Sequence, residues 1–404
     1  MKKTMLCLML VLCLFLAGCG DNAVSNPTNP SSAGNAPMPG YDAQNQYLLV
    51  NAISFQETED FFCGSNFTGE FLHFYDKESG ISGVLCTDPA CAHDSPSCGA
   101  YIRAGAMAFY YDGKLYYISG DSANATSLDY FLWRSDLSGR NREKVKRISF
   151  EDIILPYQPQ QCAIHRGKLY MLGQCGDLEG TKTVNRVTLL STPLDSSEEY
   201  TTVFEATVDH GIQPAMRFVG NAVYLSIMTF SEKEPYDLTV LKYDIETGTT
   251  ETVFAEAGIP EIPGAIWVTA QGEIYVPGQG EQGAYVWKIA DGKRVEVASW
   301  EGSDLGMPKI LDSAIVFLQR IDGVHYADIR NLSGETIYSG ELFPGEIPKM
   351  DIDLAGIQPI VVGGDADKLI LNCCNMSEAG LWDYTLMLEV RNNMKPTVLW
   401  SSRE

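Results

Sequence analysis

The chain has 404 residues, a formal net charge of −23 and 11 cysteines, with 45% hydrophobic residues. So acidic a balance repels phosphate backbones and anionic headgroups, which argues against nucleic acid as a partner. The length suits one large β domain or two small ones.

Lys2 and Lys3 precede an apolar run from Met5 to Leu16. The run is too short for an ordinary spanning helix and reads as the core of a signal peptide. It ends in Leu16-Ala17-Gly18-Cys19, which resembles the bacterial lipobox. That resemblance implies cleavage before Cys19 and lipidation of its thiol. Residues 1–19 would then be a lipoprotein signal peptide, and the mature chain would be tethered to the extracytoplasmic face of the cell membrane by its N-terminal lipid. Residues 20–44 are rich in Asn, Pro, Ser, Gly and Ala. Such a composition cannot bury enough apolar surface to order itself and predicts a disordered linker.

Residues 45–404 carry an internal repeat. Asp112-Gly113-Lys114-Leu115-Tyr116-Tyr117 returns as Arg166-Gly167-Lys168-Leu169-Tyr170-Met171, then as Gly220-Asn221-Ala222-Val223-Tyr224-Leu225 and Gln271-Gly272-Glu273-Ile274-Tyr275-Val276. Weaker copies surround Phe61, Ile315 and Leu369. Taking Phe61, Leu115, Leu169, Val223, Ile274, Ile315 and Leu369 as markers, the steps are 54, 54, 54, 51, 41 and 54 residues. Each copy reads as a polar turn, an alternating strand, a variable segment, a second strand with a tight turn such as Asp244 to Gly248, and two more strands. Four short antiparallel strands per repeat describe one propeller blade, which must stack on its neighbours to bury both faces. The expected fold is an all-β, seven-bladed β-propeller with four-stranded blades. The 41-residue step leaves six or eight blades as alternatives. The repeats resemble those of bacterial propeller lipoproteins of unknown function, with receptor-type and kelch-like blades. The resemblance covers nearly the whole mature chain and implies a fold, not an activity.

After the first blade comes Cys86-x4-Cys91-x-His93-x4-Cys98. Zinc takes four N or S ligands, and three Cys with one His is a common structural set. Disulfides are the default outside the cytosol, with a partner such as Cys63 beyond the segment. Free thiols are the third reading, and the spacing alone leaves all three open. The propeller lipoproteins carry a similar segment after their first blade, matched here by Cys86, Pro89, Cys91, His93 and Cys98. In each reading the segment would brace blade 1 against blade 2. The blade register places it with Cys63, Cys175, Cys373 and Cys374 near the face that holds the longer loops. Cys175 would lie in a loop spanning Gly173 to Arg186, Cys373 and Cys374 would end a strand, and Cys162 would lie near the middle or start of an inner strand.

No nucleophile elbow, zinc-protease helix or phosphate loop occurs in the right context. His73 and His165 read as surface or half-buried strand residues. His210 lies in a link on the long-loop face, where Tyr130, Tyr157, Tyr236 and Trp382 also fall. The expected function is a non-enzymatic binding or scaffolding module for a glycan, peptide or partner protein. The alternative is a surface polysaccharide lyase or hydrolase at the channel mouth, with carboxylates and His210.

Overall fold

A computed structural model describes residues 54–65, 70–102, 107–120, 130–148, 162–179, 182–195, 199–208, 211–230, 235–302, 305–347, 356–377 and 380–402. Cys19, residues 1–44, Tyr157 and His210 lie outside these residues. Blade 1 is β1 (Phe55–Glu57), β2 (Phe61–Gly64), β3 (His73–Asp76) and β4 (Ser82–Val84). Blade 2 is β5 (Met107–Tyr111), β6 (Lys114–Gly120), β7 (Tyr130–Asp136) and β8 (Glu143–Ile148). Blade 3 is β9 (Cys162–His165), β10 (Lys168–Glu179), β11 (Lys182–Pro193) and β12 (Thr201–Val208). Blade 4 is β13 (Gly211–Val219), β14 (Ala222–Phe230), β15 (Tyr236–Asp244) and β16 (Thr250–Ile259). In blade 5 the first strand is split into β17 (Ile262–Pro263) and β18 (Trp267–Val268), followed by β19 (Ile274–Gly280), β20 (Gly283–Ala290) and β21 (Lys293–Glu301). Blade 6 is β22 (Lys309–Ile310), β23 (Ala314–Ile321), β24 (Val324–Asn331) and β25 (Thr336–Glu341). Blade 7 is β26 (Ile357–Gly364), β27 (Lys368–Ser377), β28 (Gly380–Glu389) and β29 (Lys395–Ser401). Every blade is an antiparallel sheet in chain order.

All seven repeat markers fall on the second strand of a blade, so the period counts blades correctly. The turns before them use residues that tolerate a left-handed backbone, as at Asp112-Gly113 (φ 47 and 70) and Arg166-Gly167 (φ 45 and 77). The turns between third and fourth strands share another device. Asp76 Oδ1 accepts from Ser79 N at 2.7 Å, Asp244 Oδ1 from Thr247 N at 2.7 Å, and Asn331 Oδ1 from Ser333 N at 3.0 Å. A short acceptor side chain thus caps its own turn.

First strands of neighbouring blades touch, as β1 with β5, β5 with β9 and β13 with β18, so they form the inner ring. The core lies between blades, in clusters such as Val219, Tyr224 and Val240 against Ile266, Val268 and Val276. Among the described residues no strand is exchanged where blade 7 meets blade 1. Phe55 and Phe62 pack there against Val362, Ile370, Leu399 and Trp400. The Trp400 ring stacks on Phe55 at 6.2 Å and on His73 at 6.3 Å. Lys368 Nζ crosses the seam to Glu57 at 2.6 Å.

The long-loop face differs from expectation. Gly173 to Arg186 is no loop: β10 and β11 stay in register out to Glu179 opposite Lys182, and Cys175 pairs with Arg186 inside that ladder. Gly173 and Gly176 suggest a loop, but Thr183, Val184 and Val187 suit a strand and the ladder tolerates the two glycines. Much of Ser226 to Asp237 is likewise strand. Cys373 and Cys374 sit inside β27, which stays paired with β28 out to Ser377 opposite Gly380. Blades 5 and 6 turn back on this face with two residues, Glu281-Gln282 and Asp322-Gly323.

Candidate metal centre and binding face

Residues 85–102 run from the outer strand of blade 1 to the inner strand of blade 2. Backbone bonds pin the segment to blade 1: Leu85 N donates to Leu72 O at 2.7 Å, Leu72 N to Ala100 O at 2.9 Å, and Ile102 N to Glu70 O at 2.8 Å. Phe71 and Tyr101 form an isolated bridge, their rings edge to face at 5.8 Å. Inside, Cys91 N donates to Asp88 O and Cys98 N to Ser95 O, both at 3.1 Å. His93 takes a left-handed backbone, φ 54. These tight turns gather the four predicted ligands. The ligand atoms of Cys86, Cys91, His93 and Cys98 all lie within 4.8 Å of one another, and His93 Nδ1 is 3.4 Å from Cys98 Sγ.

A zinc tetrahedron with bonds of about 2.3 Å has sulfur–sulfur edges of about 3.8 Å. The cluster therefore needs to contract by only about 1 Å to close on an ion of that kind, and the donor set fits. Four protein ligands leave no open coordination position, which is the structural rather than the catalytic pattern. Cys63, Cys86, Cys91, Cys98, Cys162, Cys373 and Cys374 are free cysteines, and Cys63 shares an apolar cluster with Cys98. Burial pushes the Cys63 thiol up to about 12. Burial also acts upward on Cys86, but the backbone N–H groups of Asp88 and Gly99 and the Cys98 and Cys91 thiols outweigh it and hold Cys86 below the usual thiol range. Cys98, more buried, is pushed up to about 12.

Blade 2 closes over the segment. A Cβ on Gly139 would meet Leu85 O at 2.5 Å, and Gly139 has φ +77. Arg140 Nε donates to Thr87 Oγ1 at 3.1 Å. Arg142 Nη1 donates to Tyr101 O at 2.8 Å while its guanidinium lies 4.4 Å from the Trp133 ring. The segment thus reaches the outer turn of blade 2 and occupies the outer seam between two blades, beyond the long-loop face where the register put it.

Of the predicted binding aromatics, Tyr130 opens β7 and is half-buried against the cluster of Met107 and Ile118. Trp382 stands opposite Asn375 in the blade 7 hairpin. Tyr236 opens β15, its ring 6.3 Å from Phe230 and tilted by 48°. Phe230 is 40% exposed, and sequence reasoning missed it. Its signal was the place it holds at the end of a marker strand, six residues before Tyr236. Tyr130 is two blades away from this pair. His165, expected at the surface or half-buried, is fully buried: its Nε2 sits 2.8 Å from Gly220 O, and its ring packs on Phe218 at 4.9 Å. A turn that carries the contact to the next blade has no room for a solvated imidazole.

The fold defines an all-β, seven-bladed β-propeller whose Cys/His cluster could hold a metal ion. No protein-family model matches the sequence, and no curated protein matches it either. Among solved structures, the propeller domain of the trilobed protease from Pyrococcus furiosus is 12% identical, covering 89% of this chain and 99% of that one at a TM-score of 0.47. An oligogalacturonate lyase in complex with manganese is 11% identical, covering 85% and 90% at 0.47. TolB from Acinetobacter baumannii is 13% identical, covering 91% and 86% at 0.40.

Proposed function

We propose that this chain is a lipid-anchored, extracytoplasmic binding module that offers one face of a rigid propeller to a peptide or partner protein. In this reading Cys19 carries the lipid, and Cys86, Cys91, His93 and Cys98 hold a structural zinc that staples blade 1 to blade 2. The observation that carries the binding role is the contrast between the two faces. On one, tight turns repeat from blade to blade. On the other, the hairpins are uneven: a 12-residue β10 and β11 in blade 3 stand against two-residue turns ending the 7-residue β19 of blade 5 and the 8-residue β23 of blade 6. Variable segments on a fixed scaffold are where recognition sits. Phe230 and Tyr236 are tilted rather than coplanar, so they suit an apolar side chain better than a flat sugar ring.

The test is a peptide and glycan array probed with the purified chain, followed by F230A and Y236A. A peptide hit weakened at least tenfold by both variants supports the reading. Hits confined to glycans, or unaffected by both variants, refute it. Native mass spectrometry tests the staple separately: one zinc per chain, lost in Cys98→Ser, is the expected result.

A further inference from the structure

Three inner strands of blades 4, 5 and 6 place their side chains at matching depth. Arg217 pairs with Tyr224, Trp267 with Tyr275 and Lys309 with Val316, each pair about the same distance from its blade's inner turn. Arg217 is 1% exposed and Trp267 1%. The Arg217 guanidinium lies 5.9 Å from the Trp267 ring. Ile310, next to Lys309, packs in the same cluster as Trp267. Lys309 itself is half-buried.

Arg217 Nη1 donates to Met216 O at 2.7 Å. Among the described residues its Nε and Nη2 have no hydrogen-bond partner, and neither has Trp267 Nε1. No carboxylate among the described residues bonds to Arg217 or Lys309, although the chain carries 52 Asp and Glu. A buried charge without a counter-charge is costly. Burial lowers the Arg217 pKa to about 10, and the charge of Arg217 adds to burial in lowering that of Lys309. Nε and Nη2 form one edge of the guanidinium, the fork that meets two oxygens at once. The described surroundings of Arg217 include a second cation, Lys309, and the buried indole N–H of Trp267.

We infer that Arg217, Trp267 and Lys309 form an oxyanion-binding site in the inner ring, taking the carboxylate or phosphate group of a small ligand. The site is separate from the Cys/His cluster and from the Phe230–Tyr236 pair, and stands whether or not either of those binds anything.

The experiment is thermal melting and tryptophan fluorescence of the purified full chain, titrated with sodium phosphate or sodium acetate at constant ionic strength against chloride. A saturable rise in melting temperature with at least one oxyanion is expected. Response to phosphate alone assigns a tetrahedral oxyanion, and response to acetate alone a carboxylate. Arg217→Met should abolish the response, Lys309→Met should weaken it at least tenfold, and Trp267→Phe should remove its fluorescence component. In chloride alone, Arg217→Met should melt no lower than the parent, because it removes a buried charge that has no counter-charge among the described residues. A lower melting temperature for that variant in chloride overturns the inference. So does the absence of a saturable effect of either oxyanion, or an effect that Lys309→Met leaves unchanged.

Discussion

Replacing Trp400 by alanine tests how far packed side chains hold blade 7 to blade 1. Trp400 is 1% exposed and spans the seam between the outer strand of blade 7 and two strands of blade 1, stacked on Phe55 and His73. A buried indole covers about 200 Å² of mostly apolar surface, worth about 5 kcal/mol at roughly 25 cal/mol per Å². Measured losses for aromatic-to-alanine changes in cores run about 3–5 kcal/mol, so W400A should cost that much. The indole N–H has no hydrogen-bond partner among the described residues, so W400F, which keeps most of the ring area, should cost about 1–2 kcal/mol, well below the alanine change. The ion pair beside it, Lys368 to Glu57, is partly exposed, and K368A should cost under about 1 kcal/mol. Urea unfolding at constant slope gives all three values. If W400A cost less than about 1 kcal/mol, or no more than K368A, apolar packing would not be what holds blade 7 to blade 1.

Three further outcomes follow from the seams and the cluster. Stripping metal with a strong chelator should lower the melting temperature and open residues 85–102 to proteolysis, and Cys98→Ser should reproduce both effects without chelator; unchanged cleavage in either case counts against a structural ion. Gly139→Ala forces a side chain into a left-handed backbone and onto Leu85 O, so chemical denaturation should show a loss of about 2 kcal/mol or more, against less than about 0.5 kcal/mol for exposed Gly113→Ala after allowing about 1 kcal/mol for backbone strain common to both. His73, buried, is held down to about 4 by burial and then by the charge of His93. The unfolded chain takes up that proton below about 6.5 and the folded chain does not. Stability present above pH 6.5 should therefore be lost as pH falls towards 4, and His73→Gln should flatten the curve across that window in a pH series of melts.

Much of the architecture was legible because a turn and an alternating strand recur with nearly constant spacing. Leu115, Leu169 and Val223 differ in size, yet each stands at the same point of its blade, since the pleat and the neighbouring blade make the same demand each time. The Cys/His set was legible for a different reason: four soft donors within thirteen residues can meet without help from distant parts of the chain. Glycine misled the reading at Gly173 and Gly176, where a hydrogen-bonded ladder persists through residues that favour turns when alone. The Arg217, Trp267 and Lys309 arrangement was out of reach. Those residues are 50 and 42 positions apart, and only the ring brings them to one depth. Phe109 and Ala163 hold the equivalent places in blades 2 and 3, so even a correct register gives no hint of a charged layer until the strands are paired.

The seam between the first and last blades has a mechanical consequence. In a sheet that shares strands across its closure, tension between the chain ends loads a row of hydrogen bonds in shear. Here, among the described residues, pulling Phe55 and Ser401 apart engages stacked rings, aliphatic contacts and the Lys368–Glu57 ion pair. Such an interface yields by peeling at modest force, while each blade keeps its own ladder. The propeller should therefore extend under load as a string of intact four-stranded modules that opens first at one defined place. A force trace would read this as an early, low peak ahead of the taller ones from the individual blades.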